Sequence, residues 1–397
     1  MRWAASHSLD PDPIAAVEQA SALVRAELGE GPVDLAVAFF TRHLATPPEA
    51  VPDTLRRALS PKCRIGVSAG AVVATDREIE QGPAVSLIAA RLPDVEVLPF
   101  VLETSSWGEG MDDPLEFARH TRGLERAELV VLFGDPFSLD IERTLRAFNR
   151  HAPGVRVVGG MASAGVRPHS SLLALNDWTS PEGGVAVALR GDLRVDVVVS
   201  QGCRPIGPPL AVTRADQNII LELDGQPALE RTEQVLRALP ESEHAHLKHG
   251  LYMGRLARGA GEPGRGDYLI RNLLGADRDR GAIAVGDRVV EKEHVRLHVR
   301  DAAIALEDLE MLLSPQAFDS KAHAALMFSC NGRGKAFFGE PHRDVATLQD
   351  ALGGSIPVAG FFAAGEIGPI GDQNHLHGQT ASIAIFRPRE SYSNKSG

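Results

Sequence analysis

The chain has little cysteine: three in 397 residues, at Cys63, Cys203 and Cys330. Three widely spaced thiols cannot build a disulfide framework, and without a CxxC pair they do not spell a structural zinc site. Long apolar runs are missing. No window approaches the roughly 18 apolar residues a membrane span requires, and Met1–Leu9 lacks the apolar stretch of a secretory signal. Excess positive charge is missing too: 41 Lys and Arg against 52 Asp and Glu leave a net charge of −11, so there is no basic footprint for nucleic acid. The expectation is a cytoplasmic protein with neither a membrane nor a nucleic-acid partner. Lysine takes only 6 of the 41 basic positions, the mark of a GC-rich coding bias, so a lone arginine is weak evidence of a site. Tyrosine is rare, at three.

What is present is a globular composition. Hydrophobic residues at 44% and charged residues at 23% exclude disorder and collagen-like repetition, and the length suggests two or three domains. Short apolar runs predict buried strands at Leu35–Phe40, Leu129–Phe133, Val185–Leu189, Val195–Val199, Ile219–Leu223, Ala324–Phe328 and Ser382–Phe386. Helical spacing aligns Ile141, Leu145 and Phe148, then Val345, Leu348 and Leu352, then Leu229, Leu236 and Leu239 after Pro227, and predicts a fourth helix over Ala302–Leu313.

Three segments, Asp34–Leu92, Glu128–Gly191 and Ala324–Pro388, share one plan. Each has a strand, a loop, a helical stretch, a second strand entering a Gly/Ala/Ser-rich turn, and a closing strand. The turns are Ile65–Gly70, Val158–Gly165 and Val358–Gly365. Glycine there permits positive φ and close approach of backbone or ligand, so packing and anion binding are both open. The spacing fits neither the dinucleotide fingerprint nor a P-loop, and no cofactor is expected. The stretch Arg194–Leu313 departs from the plan, and its Gly254–Gly266 loop reads as exposed. The expected architecture is α/β: two related halves with mixed sheets covered by helices, built from repeated strand–helix–strand units. The expected boundaries are 1–32, an N-terminal segment with a helix; 33–216 and 217–388, the halves; and 389–397, a disordered tail.

Candidate chemistry gathers in the third repeat. Its first strand runs into Ser329-Cys330-Asn331-Gly332-Arg333-Gly334. Asn331 offers amide donors, and Arg333 could hold a carboxylate bidentately. Glu366, after the third Gly-rich turn, stands where the second repeat has Val166. A buried charge there needs a partner or ligand. A carboxylate beside an arginine and an amide suits a zwitterion such as an amino acid. Cys330 could instead be a nucleophile, with His342 or His377 as base and Glu366 as orienter. His375 and His377 form an HxH that points one way in an extended segment, but HxH alone is a weak metal signal, and no metal is expected. Gly160 and Ser163 lie in the second Gly-rich turn. Gln201–Gly207 reads as a dense loop in which Cys203 and Arg204 face a pocket or form a rigid corner. Tyr268, Ile270 and Asn272 alternate onto one strand face beside Arg271.

At these loops the chain resembles the FIST family. The resemblance rests on Ile65–Val73, Val158–Gly165, Gly183–Leu189, Gly202–Gly207 and Leu223–Ala228, then Tyr268–Leu274, Phe328–Gly334, Gly360–Phe362, Gly365–Pro369 and His377–Thr380. It implies FIST N- and C-terminal domains at 33–216 and 217–388. It also implies a small-ligand sensory module of signal transduction, with an amino acid or related metabolite as ligand. The ligand-binding candidates are then Asn331, Arg333, Glu366, Gly160, Ser163, Cys203, Arg204, Tyr268, Arg271, Asn272 and His377. Some relatives are fused to output domains or an F-box. Met1–Pro32 does not look like an F-box and the repeats leave no length for an output domain, so a separate signalling protein is the expected partner. The alternative is a cysteine- or metal-dependent enzyme acting on a small metabolite.

Overall fold

The computed structural model describes residues 1–104, 107, 111–121, 123–257 and 265–389. Residues 390–397 of the expected tail, and residues 258–264 of the Gly254–Gly266 loop, lie outside the described residues. The chain divides into two compact units. One comprises Met1–Val199, Glu310–Leu376 and the segment from Ala381; the other comprises Ser200–Leu309 and His377–Thr380.

The first unit is the repeat written three times. The first strands are Leu35–Thr41, Leu129–Gly134 and Ala324–Cys330. Helices Ala50–Leu59, Ile141–His151 and Arg343–Ala351 lead to second strands Cys63–Ala69, Arg156–Met161 and Val358–Ala363. First and second strands pair in parallel, as a helical crossover requires. Closing strands Val85–Arg91, Gly184–Gly191 and Thr380–Arg387 return antiparallel to the first. Apolar spacing and caps set the helices. Ile141, Leu145 and Phe148 are buried, as their spacing predicts, and Asp140 caps that helix by accepting from the Arg143 amide.

Each second strand is followed by a hairpin that leaves its own sheet. Val72–Val73 and Glu78–Ile79 of repeat one join the sheet of repeat three, Leu173–Leu175 and Trp178–Ser180 of repeat two join that of repeat one, and Glu366–Ile370 and Gln373–His377 of repeat three join that of repeat two. The exchange is cyclic. A leading strand completes each six-stranded sheet: Arg2–Ser8, Val95–Leu102 and Arg194–Gln201 in turn. Arg2–Ser8 is not visible as an apolar run, yet its Trp3 is buried and stacks on Phe386 at 4.6 Å.

The inner faces share one apolar core. Its centre holds the fifth residue of each first strand, Phe39, Phe133 and Phe328, with ring centroids 5.5–6.2 Å apart, joined by Phe361. One residue earlier, Ala38, Leu132 and Met327 lie opposite Gly66, Gly159 and Gly360. A Cβ on those glycines would stand 3.0, 1.9 and 1.7 Å from the facing carbonyl oxygens. These glycines lie inside strands rather than in turns, and they let two backbones approach.

The second unit enters the chain between the leading and first strands of repeat three. Its strands run Cys203–Asp216, His294–Arg300, Leu251–Leu256, Tyr268–Asp277, Ala282–Val285 and Ile219–Leu223, with Gln226–Pro227 beyond. The neighbours pair antiparallel, and Cys203–Asp216 also pairs with Ile219–Leu223, closing a ring. Ile206, Met253, Ile283 and Leu297 share one core with Val235 of the helix Ala228–Arg237. Gln201–Gly207 is therefore not a loop: Gln201 ends one strand, and from Cys203 to Ile206 the chain pairs with Arg300 to Leu297 in the next.

Candidate functional site

The carboxyl end of the third repeat's first strand carries the densest buried charge. The chain turns sharply after Cys330: the Arg333 amide donates to the Cys330 carbonyl at 2.8 Å, and the Gly332 amide to its Sγ at 3.4 Å. This turn points Arg333 inward. Its Nε and Nη2 donate to the two Asp344 oxygens at 2.7 and 2.6 Å, a bidentate pair, and Ser329 Oγ adds 3.2 Å to Asp344. The guanidinium lies over the Phe338 ring at 5.2 Å. Both side chains are fully buried. Burial opposes the arginine's charge, but the Asp344 carboxylate outweighs it, with smaller help from Cys330 and Glu366, and holds its pKa above the ordinary value.

The exchanged hairpin of repeat one supplies two more carboxylates. Glu78 Oε1 accepts from the Val345 amide at 3.2 Å, and Glu80 accepts from the Lys335 amide at 2.8 Å. Burial first, and then Asp344, push Glu78 up to about 7. His342, at positive φ before the helix, accepts the Glu78 amide on Nδ1 at 3.0 Å. Its hydrogen then sits on Nε2, and its base nitrogen is spent on backbone. Glu366 is fully buried at the head of the exchanged strand, opposite Gly160, whereas Val166 at the matching place is 83% exposed. Gly160 is packed: a Cβ there would meet that of Ala363 at 2.7 Å. Ser163 Oγ donates to the Phe362 carbonyl and accepts the Gly70 amide. Cys330 is buried and Asn331 is exposed.

The remaining candidates belong to the second unit. Arg204 is paired with Asp301 and Glu243 at 3.0 and 2.7 Å. Arg271 shares the buried Asp287 with Arg255. Cys203, Tyr268 and Ile270 form one apolar cluster, and Asn272 is exposed. Asp308, inside the expected helix Ala302–Leu313, is buried and accepts from Ser200 Oγ and the Gln201 amide, both at 2.9 Å. His377, at the end of the strand Gln373–His377, is buried, and His375 lies two residues before it on the same strand. Among the described residues no group of three His, Cys, Asp or Glu is arranged to hold a metal ion, and no helix is long and apolar enough to cross a membrane.

The profile of the FIST N domain matches residues 34–226, and that of the FIST C domain matches 228–369. The chain belongs to the FIST family. FIST domains are small-ligand sensory modules. This FIST protein is 38% identical over 390 residues to the uncharacterized protein Rv0628c of Mycobacterium tuberculosis, covering 97% of this chain and 100% of that one. It is 39% identical over 381 residues to the uncharacterized protein Mb0898c of Mycobacterium bovis, covering 95% and 96%. Among solved structures, a cyanuric acid hydrolase from A. caulinodans aligns over 98% of this chain and 99% of its own, at 9% identity and a TM-score of 0.35.

Two buried groups give this FIST protein opposite pH responses. Burial lowers His298 to about 4. Its neutral form stabilises fully above about 6.5, and that stability falls away as pH drops towards 4, by about 3 kcal/mol. Glu78, raised to about 7, stabilises below about 4.5 and loses its contribution as pH rises through 7. Urea unfolding from pH 4 to 8 will therefore show a shallower acid limb for His298→Phe. Glu78→Gln will gain stability above pH 7 and lose the decline that accompanies rising pH. Unchanged profiles would mean that neither group titrates where its burial places it.

Proposed function

We propose that this FIST protein is a sensor that binds an amino acid or a related small metabolite and passes the signal to a separate protein. The observation that carries the reading is Arg333 Nη1. It belongs to a fully buried guanidinium whose other nitrogens hold Asp344, and it has no hydrogen-bond acceptor among the described residues. A ligand carboxylate satisfies such a donor, with the Asn331 amide at the exposed lip and Glu366 as the matching charge. Ligand binding then acts by favouring one conformer of this loop.

A thermal-shift screen of amino acids and their derivatives tests it. At 100 times its dissociation constant a ligand adds about 2.7 kcal/mol, enough to move the melting curve. The expected result is a hit that weakens at least about tenfold in Asn331→Ala and Glu366→Gln, a loss near 1.4 kcal/mol. A blank screen, or a hit indifferent to both variants, removes the reading.

A further inference from the structure

Three buried acceptors of the second unit stand out for having no hydrogen-bond partner among the described residues. They are Gln201 Oε1, Gln379 Oε1 and His298 Nε2. The orientations of Gln201 and His298 are fixed by what their other atoms do. Gln201 Nε2 donates to the Tyr268 carbonyl at 2.5 Å, which commits Oε1 to the acceptor role. His298 Nδ1–H donates to the Arg296 carbonyl at 2.9 Å, which leaves a lone pair on Nε2. The Gln379 carbonyl accepts the Gly202 amide at 2.7 Å, so Gln379 adjoins Gln201.

Tyr268 links the group. Its carbonyl anchors Gln201, and its ring centroid lies 4.9 Å from that of His298. The His298 ring lies over Gly254, where a Cβ would be 2.3 Å from Cε1, so the strand leaves room for the imidazole and nothing more. Behind Gln201, the buried Asp308 carboxylate accepts from Ser200 Oγ and the Gln201 amide, both uncharged donors. A buried acceptor left unpaired is destabilising, so a donor that reaches it is favoured. Several acceptors, a carboxylate behind them and an aromatic face together favour a cation that donates hydrogen bonds.

We propose that Gln201, His298 and Gln379 form a site for the ammonium group of a primary amine. The site uses none of Asn331, Arg333 and Glu366 and stands or falls separately from the reading above.

The three acceptor atoms are buried, so the probe is small: methylammonium, with tetramethylammonium at equal ionic strength as a control that has the charge but no N–H. Melting curves are taken at pH 8, where the imidazole is neutral and the amine charged. The expected result is a rise in melting temperature with methylammonium alone. With 15N-labelled histidine, the His298 Nε2 resonance moves upfield as its lone pair gains a donor. His298→Phe replaces the acceptor by an apolar ring of similar shape, and the expected outcome is a folded protein that no longer responds. Gln201→Met serves as a second variant if that one fails to fold. Equal responses to the two amines, an unmoved Nε2 resonance, or a response surviving in both folded variants overturns the proposal.

Discussion

Gly360→Ala will abolish folding or leave a protein weakened by more than about 4 kcal/mol. The new methyl would stand 1.7 Å from the Met327 carbonyl oxygen, and that oxygen belongs to the neighbouring strand's backbone, which cannot rotate aside. Gly159→Ala faces the same collision at 1.9 Å from the Leu132 oxygen, with a positive φ of 138° added. Gly66→Ala meets the Ala38 oxygen at 3.0 Å, and a shift of a few tenths of an ångström accommodates it at about 1–2 kcal/mol. The ordering of the three in urea unfolding is the test. Were Gly360→Ala to fold with near-parental stability but lose ligand binding, the glycines would serve a ligand rather than the close approach of two strands.

Arg333→Met will cost about 3–5 kcal/mol, because it strands the fully buried Asp344 carboxylate. Asp344→Leu alone will cost a similar amount by stranding the guanidinium. The double variant will recover most of the loss, since an apolar pair needs no compensation in a dry interior. Glu78 reports on the same cluster. Asp344 raises its pKa and Arg333 lowers it, so Asp344→Leu moves the Glu78-dependent decline in stability to lower pH, and Arg333→Met moves it higher. A double-mutant cycle measured from pH 5 to 8 checks both statements. Additive losses with no movement of the pH dependence would show that the pair is not coupled as its 2.6 and 2.7 Å bonds imply.

Much of the scaffold was legible. Each of the seven expected strands and four expected helices coincides with an observed element to within a few residues, and Ile219–Leu223 and Ala302–Leu313 match to the residue. The site was legible in part. Cys330, Arg333 and Glu366 stand out because a polar cluster interrupts a repeat that is otherwise apolar. The carboxylates that answer Arg333 were not singled out, although Asp344 gives a signal, an acid four residues before Leu348 on the buried face of its helix. His298 is harder to find. In the strand His294–Arg300 it alternates with His294, Arg296 and Arg300, which reads as a solvent face, yet it is fully buried.

The sequence by itself determines what depends on neighbours along the chain. Apolar period, helix caps and the recurrence of one strand–helix–strand plan are local, and they suffice for the α/β class and for family membership. Tertiary structure alone decided the rest. It sends each hairpin to another repeat's sheet, and it makes Glu78 of the first repeat a partner of Val345 in the third, 267 residues away. It also turns the three strand glycines from open turn residues into contact points between backbones. The physical reason is the same in each case: which carbonyl, carboxylate or ring fills the space beside a residue depends on chain segments that no local pattern names.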